Sequence, residues 1–115
     1  MIKCTKFSNR KEWRNSKGQL HRVKGPAIEW NDKTKYWYQN GLLHRTDGYA
    51  REDSNGNKYW YQNGLCHRID GPAVEYYDGY KEWWVEGKQF SEGEFNEKIK
   101  LLNDQIKVII IFIKI

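Results

Sequence analysis

From Trp13 to Phe90 the chain runs in short stretches where aromatic and polar residues alternate, cut at intervals by a Gly-bearing polar step. The stretches repeat. Lys35–Glu52 reads K-Y-W-Y-Q-N-G-L-L-H-R-T-D-G-Y-A-R-E and Lys58–Glu75 reads K-Y-W-Y-Q-N-G-L-C-H-R-I-D-G-P-A-V-E, an offset of 23 residues. The same offset relates Gly18, Gly41, Gly64 and Gly87, the pairs His21-Arg22, His44-Arg45 and His67-Arg68, and Glu29, Glu52 and Glu75. Alternation at period two predicts strands, and Asn40-Gly41 and Asn63-Gly64 predict two-residue hairpin turns, because both turn positions take positive φ. Each unit therefore reads as one hairpin whose return strand runs through His-Arg to Gly-Pro-Ala-x-Glu. A second polar turn follows at 31–34, 54–57 or 77–80. The expected fold is mainly β: an elongated, single-layer antiparallel meander of seven or eight strands over residues 13–90, with a C-terminal α-helix.

Pairing about Asn40-Gly41 sets Tyr38 opposite Leu43, Trp37 opposite His44 and Tyr36 opposite Arg45, each pair on one face. One face then carries Trp37, His44, Trp60 and His67. The other carries Tyr36, Tyr38, Leu43 and Arg45, repeated as Tyr59, Tyr61, Cys66 and Arg68, with each Arg set to stack on a Tyr ring. In the first unit Arg14 joins His21, and Trp13 joins Arg22.

The period changes at residue 91. Ser91-x-x-Glu94 has the form of a capping box, and Phe95, Ile99, Leu102, Ile106, Ile109 and Ile113 follow at steps of four and three, the mark of a helix with one apolar seam. A helix of about 23 residues is about 35 Å long, close to the width of eight strands at about 4.8 Å each. It is expected to lie across one face of the sheet and bury an aromatic ladder. The rival reading is a homodimer, a coiled coil through those same six residues. Val108–Ile113 is apolar on every side and open to a strand reading, and it is too short to span a bilayer.

Length and charge narrow the classes. A chain of 115 residues makes one domain. The formal charge of +5 sits in residues 1–30, which hold eight basic and two acidic residues, while the rest is close to neutral. Residues 1–12 read as a basic N-terminal arm or capping strand; alternatively, Lys3, Lys6, Arg10, Lys11, Arg14 and Lys17 touch phosphate or an acidic surface. Cys4 and Cys66 have no metal or redox spacing, as in proteins of a reducing compartment. No apolar stretch near the start has the length of a signal peptide. His21, His44 and His67 come from three units, and equivalent residues of successive hairpins lie about 9–10 Å apart, too far to share one ion at about 2 Å. No metal, cofactor or catalytic set is expected, and the repeated Glu residues are read as partners of neighbouring Arg or Lys.

A hairpin unit of 23 residues with aromatics before Gly, then His, then a Gly-bearing step, resembles the MORN repeat. The L-H-R-x-D-G-P-A-x-E units closed by Trp83–Phe95 are similar to short MORN-like repeat proteins of tailed bacteriophages. This chain departs from the pattern at Tyr49, which replaces the Pro of Gly-Pro-Ala, and at Phe90-Ser91, which replaces His-Arg and marks a capping unit. The resemblance implies a non-catalytic binding protein in the host cytoplasm, acting on a host protein or defence complex, concretely as an anti-CRISPR inhibitor. Tyr36, Trp37, Tyr38, Arg45, Tyr59, Trp60, Tyr61, Arg68 and Trp84 are the candidate binding residues, since Trp, Tyr and Arg dominate binding hot spots. The alternatives are nucleic acid stacked on the aromatic ladders and held by the basic arm, or a scaffold or adaptor at a membrane surface.

Overall fold

The structure, a computed structural model, describes residues 1–114. Ile115, the last residue of the expected C-terminal segment 91–115, lies outside them. The strands are β1 (Lys3–Lys6), β2 (Arg10–Arg14), β3 (Ile28–Trp30), β4 (Lys35–Tyr36), β5 (Tyr38–Gln39), β6 (Leu42–Leu43), β7 (Arg51–Glu52), β8 (Lys58–Tyr59), β9 (Tyr61–Gln62), β10 (Leu65–Cys66), β11 (Val74–Glu75), β12 (Lys81–Val85) and β13 (Lys88–Phe90), followed by helix α1 (Glu92–Lys114). A nine-stranded sheet runs in the order β1-β2-β3-β4-β7-β8-β11-β12-β13, and β5-β6 and β9-β10 are two-stranded hairpins carried by it. The fold is thus an elongated antiparallel meander with a C-terminal helix, 57 × 38 × 18 Å in extent.

The hairpin turns follow from their residues. Asn40 and Asn63 have φ of 50°, and Gly41 and Gly64 have φ of 82° and 80°, a conformation that Asn and Gly adopt at least cost. The last hairpin makes the same turn with Glu86 (φ 50°) and Gly87 (φ 80°). Tyr38 faces Leu43 and Tyr61 faces Cys66, as the turn requires.

The return strand, in contrast, does not continue from His-Arg to the Glu. Trp37 stands opposite two residues: its carbonyl accepts the His44 N–H at 3.0 Å, and its N–H donates to the Ala50 carbonyl at 2.6 Å. Residues 45–49 between them leave the ladder as a loop. Trp60 spans His67 and Ala73 in the same way, and Trp13 spans His21 and Ala27. Tyr36 therefore pairs with Ile28 and Arg51, not with Arg45. Each Ala receives the backbone of its Trp so closely that Ala27, Ala50 and Ala73 are all fully buried. In the first unit Trp13 lies eight residues before His21, against seven for Trp37 and His44, because the turn over Asn15–Gln19 is one residue longer.

Beside the strand ladder, successive units are tied by two backbone–backbone bonds and one bond from a backbone N–H to a histidine ring. The Arg22, Arg45 and Arg68 N–H groups donate to the carbonyls of Tyr38, Tyr61 and Trp84 at 3.0 Å. The turn glycines Gly41, Gly64 and Gly87 donate to Leu20, Leu43 and Cys66 at 2.8–2.9 Å. The N–H groups of Asn40, Asn63 and Glu86 donate to Nδ1 of His21, His44 and His67 at 2.9–3.0 Å. The histidines are therefore links between units, which is why they recur.

At the C-terminus the capping box forms. Ser91 N–H donates to Glu94 Oε1 at 2.9 Å, and Glu94 N–H donates to Ser91 Oγ at 3.2 Å. The helix continues through Val108–Ile113 to Lys114, so this stretch is not a strand. It does not cover the sheet: α1 touches β12 and β13, and Phe95 is its one buried side chain. The apolar seam of a helix announces that it wants a partner without saying which, and here the repeats supply cover for the first two turns, burying Phe95 and half-burying Ile99.

Candidate functional site

Cross-strand register assigns the two faces of the main sheet. On one face Lys11, Glu29, Lys35, Glu52, Lys58, Glu75 and Lys81 stand opposite one another in turn, a ladder of alternating sign. On the other, Glu12, Ile28, Tyr36, Arg51, Tyr59, Val74 and Glu82 form the corresponding row. Opposite charges directly across a ladder are favourable, so the first row suits a solvated face.

The five-residue loops fold onto the charged face and form clasps. The Arg68 guanidinium lies 4.1 Å from the Trp60 ring centroid, and Arg45 and Arg22 lie 3.8 and 3.9 Å from Trp37 and Trp13. Arg68 also donates to the Pro72 carbonyl at 3.0 Å and to Asp70 at 2.7 Å, and it approaches Glu75 at 3.6 Å. Its other side is pressed on Gly71, where a Cβ would stand 2.8 Å from Cζ; Gly25 and Gly48 lie as closely on Arg22 and Arg45. The Arg-x-x-Gly spacing is thus a packing requirement. Arg45 and Arg68 stack on Trp, correcting the expectation of a Tyr partner: the loop breaks the pleat between His44 and Ala50, so strict alternation no longer decides their side. Tyr49, in place of Pro, packs edge-on against Trp60 with centroids 5.6 Å apart and donates from its hydroxyl to Glu75 at 3.3 Å.

The opposite face holds the open site. A groove of about 350 Å³ lies between the last two units, lined by Tyr59, Tyr61, Val74, Tyr76, Glu82 and Trp84, with Leu65 at its rim. No residue of α1 lines it. Glu82 organises one wall, accepting from the Trp84 indole at 2.9 Å and the Tyr76 hydroxyl at 3.2 Å. Arg51 is the cation that does lie over Tyr rings, 5.0 Å from Tyr36 and 4.6 Å from Tyr59, and Asp53 holds it in a two-point ion pair at 3.0 and 3.2 Å. The groove is chemically quiet. Burial, aided by the Glu82 charge, pushes the Cys66 thiol up to about 12. Burial likewise raises the Tyr61 and Tyr38 phenols.

The candidate residues therefore divide. Tyr59, Tyr61 and Trp84 come together in the groove, and Tyr36 and Tyr38 occupy the matching positions one unit earlier. Trp37, Arg45, Trp60 and Arg68 belong to the clasps. All nine are half-buried. Val74, Tyr76, Glu82 and Arg51 escaped the sequence reading, because the Asn-Gly register counts straight through the loops that put Arg51 opposite Tyr36 and Val74 opposite Tyr59. Of the basic arm, Arg10 and Arg14 are both spent on Glu12, at 2.7 and 3.0 Å. Among the described residues no group of three or more His, Cys, Asp or Glu is placed to hold a metal, and no helix is long and apolar enough to cross a membrane. Comparison of the chain with known families, curated proteins and solved structures finds no match.

Proposed function

We propose that this chain is a non-catalytic protein-binding module that receives its partner in the Tyr59, Tyr61 and Trp84 groove. The observation that carries this reading is the groove's openness on a face that the helix and the clasps leave free, with aromatic walls and one carboxylate, Glu82. Tyr and Trp present large rigid surfaces at small entropic cost, and a ring-lined cleft beside a carboxylate suits an apolar anchor flanked by a basic residue. The Lys–Glu ladder is balanced, and Arg51 is already paired, so phosphate has no free cationic track beside the rings. The likeness to phage repeat proteins supplies the partner's class: a bacterial host protein, with inhibition of a defence system such as a CRISPR effector as the concrete role.

The test is capture from bacterial lysate on the tagged full chain, with and without nuclease, beside the Trp84→Ala variant. A protein retained after nuclease and lost at least tenfold with Trp84→Ala is expected. Retention that disappears with nuclease moves the site to nucleic acid and overturns the reading.

A further inference from the structure

The largest apolar surface of the molecule is on α1. Leu101, Leu102, Ile106, Val108, Ile109, Ile110, Ile111, Phe112 and Ile113 are 38–79% exposed. They encircle the helix: Leu102, Ile106, Ile109 and Ile113 continue the seam with Ile110 and Phe112 beside it, whereas Leu101, Val108 and Ile111 lie on the other sides, so the seam face alone offers on the order of 500 Å², the size of the largest apolar patch of a typical monomer. The surface continues onto the repeats: Ile69, 55% exposed at the tip of the last clasp loop, forms a wall with Ile99, Leu102, Ile106 and Ile109. We propose that a second copy of this chain occupies it, its α1 lying antiparallel to the first.

Three features select this occupant. The seam steps by four and three throughout, a spacing that a second copy of the same helix can match layer by layer. The seam is also symmetric about Asp104: with Phe95 already buried on the sheet, an antiparallel partner sets Leu102 against Ile106 and Ile109 against the half-buried Ile99, and Ile113 lies at the end of the contact. Charge points the same way. Three Glu and two Lys leave the first half of the helix with one net negative charge, and Asp104 with Lys107 and Lys114 leaves the second half with one net positive charge, so antiparallel helices bring weakly opposite charge and opposite helix dipoles together. In that orientation Val108–Ile113, apolar on every side, meets the place where Ile69 widens the receiving wall. The inference stands on residues other than those of the groove, and each can fail alone.

Sedimentation of the full chain at micromolar concentration is expected to give twice the 13.9 kDa chain mass. Ile106→Glu with Ile109→Glu is expected to give the single mass with the tryptophan near-ultraviolet signature unchanged. In a Cys4→Ser background, Leu102→Cys mixed with Ile106→Cys is expected to form a mixed disulfide, and neither protein is expected to cross-link with itself. A wild-type monomer overturns the proposal, whether or not it floats with anionic vesicles. So does a double variant that stays dimeric, or self-linking of Ile106→Cys, which indicates parallel helices.

Discussion

The chemistry of this chain is carried by side chains squeezed between others. A methyl group at Gly71 would push the Arg68 guanidinium from its place, so Gly71→Ala is expected to cost about 1 kcal/mol in urea unfolding, the part of the stack and hydrogen bonds that the flexible side chain gives up as it moves. Gly93, in the first turn of α1 with nothing within 4 Å of a Cβ, gains instead: Gly93→Ala is expected to stabilise by about 0.5–1 kcal/mol. Among the described residues Glu12 is the one buried charge, 7% exposed. Burial works against its ionisation, but the hydrogen bonds and charges of Arg10 and Arg14 outweigh it and hold its pKa below the ordinary 4.5. A group depressed in this way stabilises the fold above its unfolded value, and the contribution is lost as pH falls through the folded one. Wild-type stability should therefore fall more steeply below pH 4.5 than that of Glu12→Gln, in urea titrations at stepped pH. At neutral pH the same variant should be about 1–2 kcal/mol less stable. The thiols differ in the same spirit. Cys4 is exposed, whereas Cys66 is buried with its pKa near 12, so iodoacetamide should label Cys4 in the native protein and reach Cys66 after denaturation.

Among the elements, turns and caps obey local rules, and the hairpin ends carry them plainly. Glu86 takes a φ of 50° where the earlier units have Asn. Glu86→Asn should therefore stabilise the last hairpin by up to about 1 kcal/mol, read as a rise in melting midpoint. The Asn-Gly hairpins and the Ser91–Glu94 box were legible in the sequence because each is decided by residues within a few positions. The clasps were not. Whether Arg45 meets Tyr36 or Trp37 depends on a loop that lets one Trp serve two partners, and period-two counting runs straight through that loop. The small Ala at its base and the Gly under its Arg repeat in every unit, yet they signal close approach without naming what approaches. The helix shows the other limit: its seam was evident, but amphipathicity fixes which side is apolar and leaves open what covers it, and the sheet fully buries Phe95 alone.

At the scale of the whole molecule, a slab 18 Å thick has no deep interior, and among the described residues no large side chain is fully buried. Such a sheet is held unit to unit, as in other stacked repeats, so each clasp matters to the stability of the whole. The same thinness puts most aromatic rings at one surface or the other. The central claim is a division of labour between them: Trp and Arg on the charged face clasp each unit's own loop and so hold the fold, and Tyr and Trp on the opposite face bind. One paired measurement tests it, melting midpoint and lysate-partner retention on Arg68→Ala and Leu65→Glu. Arg68→Ala removes a cation–π stack and charge-assisted hydrogen bonds, a loss of about 2 kcal/mol that lowers the midpoint by roughly 10 °C. It should leave retention intact below that midpoint. Leu65, 49% exposed at the groove rim, should move the midpoint little when changed to Glu and should abolish retention. If Arg68→Ala loses the partner at full stability while Leu65→Glu keeps it, the binding face has been assigned to the wrong side of the sheet.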